Sequence, residues 1–178
     1  MRALVVYESM FGNTRQIAEA VAEGLRTTYE VTVVPVAEAR SGPVRVDLLV
    51  VGGPTHAWSL SRPATREGAA TQAGKPGSRL QLEPSATGPG LREWLADLPT
   101  DPGEAAAFDT RIGRSRLITG RASARIARML RRRGRHLVDR PESFLVTTAD
   151  TTLLPGELHR ARDWGAALAS RSRAASRT

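Results

Sequence analysis

The sequence has no cysteine and almost no lysine. Without cysteine the chain has no disulfide, thiolate metal site, iron–sulfur cluster or cysteine nucleophile. All but one of the 26 basic residues are arginine, which indicates a codon bias rather than a function. No apolar run approaches the roughly 18 residues that a membrane-spanning helix needs. Residues 1–10 contain a short apolar segment without a signal-peptide cleavage pattern. We therefore expect a cytoplasmic protein without a membrane partner.

The length and the charge of the chain limit its organisation and its partners. A length of 178 residues, 40% of them apolar, suits one domain with a single core. We assign that domain to residues 1–170 and predict a disordered tail at 171–178. The formal net charge of +8 favours partners with an acidic surface.

Apolar runs and helical patterns alternate along the chain. The runs "ALVVY" (3–7) and "DLLVVGG" (47–53) are typical of strands buried on both faces of a parallel sheet. Helices are predicted at 13–26, 90–98, 120–134 and 154–170, and further strands at 29–36 and 104–112, with a fifth strand divided around Arg140-Pro141. This order predicts an α/β fold with a doubly wound sheet.

Residues 62–90 interrupt this alternation. They are rich in glycine, proline, alanine, serine and threonine, a composition that favours irregular structure. We predict a long flexible insertion over one edge of the domain.

Polar loops follow the first and third strands. In "ESMFGNTRQ" (8–16), Ser9, Asn13 and Thr14 precede or begin a helix, and Gly12 permits a tight turn. A helix N-terminus offers unpaired backbone N–H groups and a partial positive charge, so this loop is suited to a phosphate monoester. Helix capping by Ser9 and Asn13 is the alternative.

The second loop, "GGPTHAWSLSRP" (52–63), combines polar groups with a large aromatic face. Thr55, His56 and Ser59 are the polar residues, and Trp58 provides a flat ring suited to stacking on a heterocycle. Carboxyl ends of neighbouring parallel strands meet at one edge of the sheet, where such folds bind ligands. The two loops therefore predict one site, although Trp58 covering a helix end remains the alternative.

These two loops resemble those of the flavodoxin family. "SMFGNT" (9–14) is similar to the family's phosphate loop, [TS]-x-T-G-x-T, with Phe11 in place of the central threonine. An aromatic residue before the glycine looks more like the flavodoxin modules of flavo-diiron proteins and tetrameric quinone reductases. "VVGGPTHAWS" (50–59) is similar to the loop that carries an aromatic residue on the isoalloxazine ring. The resemblance implies a three-layer α/β/α sandwich with a five-stranded parallel sheet in the order 2-1-3-4-5.

The resemblance also implies a cofactor, FMN, and its binding residues. Thr110 and Arg111, in the stretch 109–120, would lie nearest the ring edge. The residues implied for FMN are Ser9, Met10, Phe11, Gly12, Asn13, Thr14, Pro54, Thr55, His56, Ala57, Trp58, Ser59, Thr110 and Arg111. The implied function is electron transfer by an FMN-binding flavodoxin-like protein. Whether it is a carrier or an enzyme stays open, the enzymatic alternative being an FMN-dependent NAD(P)H:quinone oxidoreductase.

Other chemistry receives less support from the sequence. His56 is the candidate catalytic residue, and no histidine has the spacing of a metal ligand. The arginine-rich helix 120–135 is interpreted as a solvated basic face, with nucleic-acid binding as the alternative. A binding module without flavin, acting through this helix, is the rival function. Expected partners are a redox protein with an acidic surface or a small quinone-like substrate; the oligomeric state stays open, a homodimer being one alternative.

Overall fold

Six parallel strands form the centre of the molecule. The computed structural model describes residues 1–40, 42, 44–56, 59–78, 80–113, 120–148 and 151–175. The strands are β1 (Arg2–Tyr7), β2 (Glu30–Pro35), β3 (Leu48–Pro54), β4 (Gly103–Ile112), β5 (Arg135–Leu137) and β6 (Glu142–Val146). The sheet order is β2-β1-β3-β4-β5, and β6 also pairs with β4. β5 and β6 together occupy the fifth position, so the predicted order 2-1-3-4-5 and the divided fifth strand are confirmed.

Helices cover both faces of this sheet. They are α1 (Asn13–Leu25), α2 (Pro63–Ala73), α3 (Leu91–Asp97), α4 (Ala122–Arg132) and α5 (Glu157–Ala175). Buried residues of α1 and α5 form a core cluster on one face, and buried residues of α3 and α4 form a second cluster on the other. The buried β-branched and leucine side chains of β1 and β3 face both clusters, as their uninterrupted apolar runs predict.

Two parts of the chain differ from the prediction. Within the predicted insertion 62–90, residues 63–73 form α2, so the expectation of irregular structure is wrong there. Pro63 occupies the first turn, where its missing N–H costs nothing, and the Thr65 hydroxyl accepts a bond of 2.8 Å from the Arg62 N–H. α5 continues to Ala175, so disorder from residue 171 is wrong for 171–175, while 176–178 lie outside the described residues.

Within the described part of the chain, no helix has both the length and the apolar character needed to cross a bilayer. The carboxyl ends of β1, β3 and β4 lie side by side because these strands are adjacent and parallel. The loops that follow them therefore meet at one edge of the sheet.

Candidate functional site

A cavity of about 310 Å³ lies at this edge of the sheet. Its wall combines the loop after β1, the end of β3 and the end of β4 with residues from three segments that the sequence did not indicate. The lining residues are Ser9, Met10, Phe11, Asn13, Thr14, Pro54, Thr55, His56, Gln72, Thr110, Arg111, Ile112, Val146, Thr148 and Thr151. The predicted convergence of the first and second loops is therefore present.

The first loop leads directly into α1. Gly12 precedes the helix with a φ of 85°, a left-handed conformation that favours glycine. Its N–H donates to the Ser9 hydroxyl oxygen at 3.1 Å. No side chain caps the helix among the described residues, so capping by Ser9 and Asn13 does not explain the loop. The Asn13 amide instead donates to the backbone carbonyl of Thr151. The first turn of α1 thus presents backbone N–H groups at the cavity wall.

Hydrogen bonds join the loops to one another. The Thr14 and Thr110 hydroxyl oxygens lie 2.7 Å apart, and both side chains are buried. The Thr55 N–H donates to the Thr110 carbonyl at 2.8 Å, while the Thr55 hydroxyl oxygen accepts a bond of 3.0 Å from the N–H of Ala122. These bonds fix the position of the second loop between β4 and the start of α4.

His56 is held by its backbone and is partly buried. Its N–H and carbonyl pair with the carbonyl and N–H of Ser59 at 2.8 and 2.9 Å. Burial lowers the pKa of the imidazole below its ordinary value of 6.5, because the charged form loses hydration. Among the described residues, no partner accepts from or donates to its buried Nε2 atom. The ring therefore offers a neutral nitrogen at the cavity.

The insertion covers the first loop through α2 and the segment that follows it. Met10 and Phe11 pack with Ala69, Leu82 and Ala86 in a small apolar cluster. The backbone N–H of Glu83 donates to the Met10 carbonyl at 2.8 Å. The Glu83 carboxylate accepts a bond of 2.9 Å from Arg15 Nε. The predicted insertion is thus part of the site, although the sequence assigned it no site residue.

A second cavity, of about 420 Å³, lies at the opposite end of the strands. Its charged lining residues include Arg2, Arg45, Asp47 and Asp101. The Asp47 carboxylate accepts a bond of 2.5 Å from the Arg2 N–H, and Asp101 pairs with Arg135 at 2.7 Å. Both carboxylates are therefore hydrogen-bonded to groups of the same chain.

Residues 4–66 match the family model described as a flavodoxin domain. Solved structures match over nearly the whole chain. They include a flavodoxin from the domain Archaea (18% identity, TM-score 0.63, covering 97% of this chain and 99% of that chain) and oxidised flavodoxin 1 from Bacillus cereus (15%, 0.65, 96% and 98%). The Flv1 flavodiiron core from Synechocystis sp. PCC6803 matches at 16% identity and a TM-score of 0.59, covering 98% of this chain and 36% of that chain. The chain has a flavodoxin-like fold. Curated proteins give no match.

The flavodoxin likeness confirms the resemblance inferred from the two loops, and at these identities the solved structures establish the fold. Ten of the fourteen predicted binding residues line the cavity, and two further described residues, Gly12 and Ser59, lie outside its lining. Ala57 and Trp58 fall outside the described residues, so the proposed stacking face stays a prediction. Thr110 and Arg111 belong to the last part of β4 rather than to a loop. Their assignment to FMN stays a prediction.

Sequence reasoning missed five lining residues. They are Gln72, Ile112, Val146, Thr148 and Thr151. Gln72 lies on α2, which was not predicted, and Val146 ends β6 beside Ile112. Thr151 has a φ of 51°, a strained conformation for a β-branched residue. The strongest sequence signal for these residues was the polar run "TTADTT" (147–152). It comes directly after the last strand, and so at the same edge of the sheet as the two predicted loops.

Among the described residues, no group of three or more histidine, aspartate or glutamate side chains has the arrangement of a metal site.

Proposed function

We propose that this flavodoxin-like protein binds FMN and transfers electrons through it. The observation that carries the proposal is the cavity where the first loop, the end of β3 and the end of β4 meet beside the uncapped N-terminus of α1. The family match over residues 4–66 spans the first two of these segments and supports the same cofactor. When bound, FMN supplies reversible electron transfer.

The end of the cavity at α1 suits the phosphate group. Backbone N–H groups of the first helical turn and the positive end of the helix dipole favour an anion there. The Ser9 hydroxyl accepts from the Gly12 N–H, which leaves its own proton for a phosphate oxygen. The Thr14 hydroxyl is also buried at this position. We assign the phosphate to residues 9–14.

The other end of the cavity suits a planar polar ring. Pro54, Thr55 and His56 form one side, and Thr110 and Arg111 form another. The neutral Nε2 atom of His56 can donate to or accept from a ring edge according to its tautomer. Arg111, 8% exposed, places a positive charge beside the cavity and favours negative charge on a bound ring. We assign residues 54–59 and 110–111 to the ring.

The first test is an absorption spectrum of the purified protein, followed by titration with FMN. We expect flavin bands that stay with the protein through desalting, or quenching of flavin fluorescence that saturates at one FMN per chain. Riboflavin, which lacks the phosphate, should bind more weakly. If the protein retains no colour and neither flavin is quenched, the proposal is wrong and a flavin-free binding module takes its place.

A second candidate function is an FMN-dependent NAD(P)H:quinone oxidoreductase. The observation that favours it is Gln72, because α2 brings a residue of the insertion to the cavity wall. A covering segment of this kind can shape a pocket for a small substrate. Rapid-mixing kinetics with NADPH and a quinone decide between the two. Fast reduction by NADPH with quinone turnover would indicate the enzyme, and slow reduction would indicate a carrier.

Three expectations accompany the proposal and stay predictions: a cytoplasmic location, an acidic protein or quinone-like partner, and the open oligomeric state. Cell fractionation and sedimentation analysis address the first and the last. The kind of partner that the protein can bind depends on where the positive charge lies on its surface.

A further inference from the structure

Charge pairing differs between the two helical faces of the sheet. On the face formed by α1 and α5, arginines pair with carboxylates at the surface. These pairs are Arg162 with Glu23, Arg160 with Glu142 and Glu157, and Arg171 with Asp139. Positive charge on this face is therefore largely neutralised by neighbouring residues of the same chain.

The face formed by α3 and α4 carries arginines that lack such partners. Within the described residues, no carboxylate lies within ion-pair distance of the five residues that we call the basic face: Arg62, Arg92, Arg125, Arg128 and Arg132. The last three are spaced by three and four residues on α4, so they lie on one side of that helix. Ile126, Ala127 and Leu130 form its buried side. The outward side of α4 thus presents a row of unneutralised charge.

Arg92 connects this row to the second loop. Its Nε and Nη2 atoms donate to the carbonyls of Ser61 at 3.1 Å and Leu60 at 2.8 Å. Burial, followed by the positive charges of Arg62 and Arg125, lowers the pKa of Arg92. Glu93 and Glu8 act in the opposite direction, but each carboxylate is held elsewhere, by Arg66 and by the Leu91 N–H respectively. Like charges therefore stand close together at this point.

The basic face adjoins the cavity. Arg92 holds the backbone of the second loop at Leu60, and the first residue of α4 donates its N–H to Thr55, which lines the cavity. A molecule seated on α4 would therefore lie beside the wall of the cofactor site. Electron transfer needs such a short approach between donor and acceptor.

We propose that the basic face docks an acidic redox protein that donates single electrons to the bound cofactor; this inference rests on the proposed function. Each productive encounter transfers one electron from the partner's reduced redox centre, which is oxidised, to FMN, which is reduced by one electron. Opposite charges on the two surfaces attract over about 8 Å at physiological salt and raise the association rate.

Nucleic acid is the competing occupant of a basic surface. Single-stranded nucleic acid is usually held by aromatic side chains on which bases stack, as well as by positive charge. Trp94, the aromatic residue of α3, is buried, and its indole N–H donates to the Arg40 carbonyl. Among the described residues, the basic face therefore offers charge without an aromatic stacking platform, which favours a folded acidic protein.

The test uses the FMN-loaded protein and a strongly acidic plant-type [2Fe–2S] ferredoxin reduced with dithionite. The first variant replaces Arg125, Arg128 and Arg132 with glutamine. The control replaces Arg26, Arg162 and Arg171, on the opposite side, so both variants lose three positive charges. Flavin retention and thermal stability are measured first. Stopped-flow absorbance then gives the second-order rate constant for flavin reduction at several salt concentrations.

We expect the α4 variant to lose about tenfold or more of this rate at low salt, and its salt dependence to flatten. The control variant should stay within about twofold of the wild type, as removing distant charges has a small effect. Equal losses in both variants, or no loss in either, would overturn the docking inference while leaving FMN binding intact.

Calorimetry with the same ferredoxin and flavin-free protein separates this inference from the proposed function. If the wild type retains no flavin but binds ferredoxin with the same dependence on the α4 arginines, the proposed function fails and the docking face stands. Fluorescence anisotropy with labelled single-stranded DNA tests the competing occupant. Salt-sensitive DNA binding lost in the α4 variant, with unchanged ferredoxin kinetics, would overturn the inference in favour of nucleic acid.

Discussion

The hydroxyl oxygens of Thr14 and Thr110 lie 2.7 Å apart, although 96 residues separate them in the chain. Thr14 belongs to the first turn of α1, and Thr110 lies near the carboxyl end of β4. Both side chains line the cavity and both are almost completely buried. This hydrogen bond therefore joins the proposed phosphate end of the site to its proposed ring end.

Replacing either threonine with valine should destabilise the protein by about 1–3 kcal/mol, because the remaining hydroxyl would be buried without its partner. The double variant should cost less than the sum of the two single variants, since it leaves no orphaned hydroxyl. Urea denaturation of the four proteins in this cycle measures the coupling. Strict additivity would show that each hydroxyl makes its important bond elsewhere.

Gly12→Ala should weaken FMN binding at least tenfold, and Gly12→Val should abolish it. A φ of 85° strains any residue with a Cβ atom, by about 1–2 kcal/mol, and the added Cβ would lie 3.1 Å from a Glu83 carboxylate oxygen. Gly156→Ala is the matched control, because Gly156 also has a φ of 85° but has open space around it. Both alanine variants should lose stability, whereas only Gly12→Ala should lose affinity in a flavin titration.

Glu83→Gln should strengthen FMN binding by about three- to tenfold without changing riboflavin binding. The FMN phosphate carries about 1.5–2 negative charges, and the Glu83 carboxylate lies close to Gly12 in the phosphate loop. Removing this charge also frees Arg15, its partner at 2.9 Å. Glu19→Gln is the control, because Glu19 pairs with the same arginine one helical turn away. Weaker FMN binding by Glu83→Gln would mean that the ion pair chiefly holds the loop in place.

His56 should make the flavin-free protein less stable in mild acid. Burial lowers its folded-state pKa below the ordinary 6.5, so the unfolded chain binds more protons between these two pKa values. Stability should be lost as the pH falls below about 6.5 towards the folded-state pKa. His56→Gln should reduce this loss, as followed by thermal melts at pH 7.5 and 5. His159→Gln, at an imidazole 75% exposed, should not.

Asp109 should show the opposite dependence on pH. Burial raises the pKa of its carboxyl, although the Ser123 N–H donates to it at 2.7 Å. The folded state therefore binds more protons than the unfolded state as the pH rises above the ordinary value of 3.8, and stability is lost over that range. Asp109→Asn should gain stability relative to the wild type between pH 4 and 8 in urea denaturation. A difference that stays constant with pH would show that the folded-state pKa of Asp109 is not raised.

The sequence by itself predicted the α/β class and most strand positions. An uninterrupted apolar run such as residues 47–53 indicates a strand of a parallel sheet, because a strand that is buried on both faces has no alternating polar residues. The first loop was also predictable, since Gly12 and Ser9 stand directly between a strand pattern and a helix pattern. These are local signals, and local signals can be read from one stretch of chain.

The tertiary structure decided what surrounds the cavity. Nothing near Gln72 indicates that it meets the first loop, because that contact depends on where α2 packs. The polar run that contains Thr151 indicates an edge of the sheet but not the bond from Asn13, which depends on where the loop after β6 packs. The location of unpaired charge was equally hidden, since Arg160 and Arg128 look alike in the sequence and differ only in whether a carboxylate lies opposite. Composition and periodicity determine which elements form, whereas packing between distant segments determines which side chains share a site.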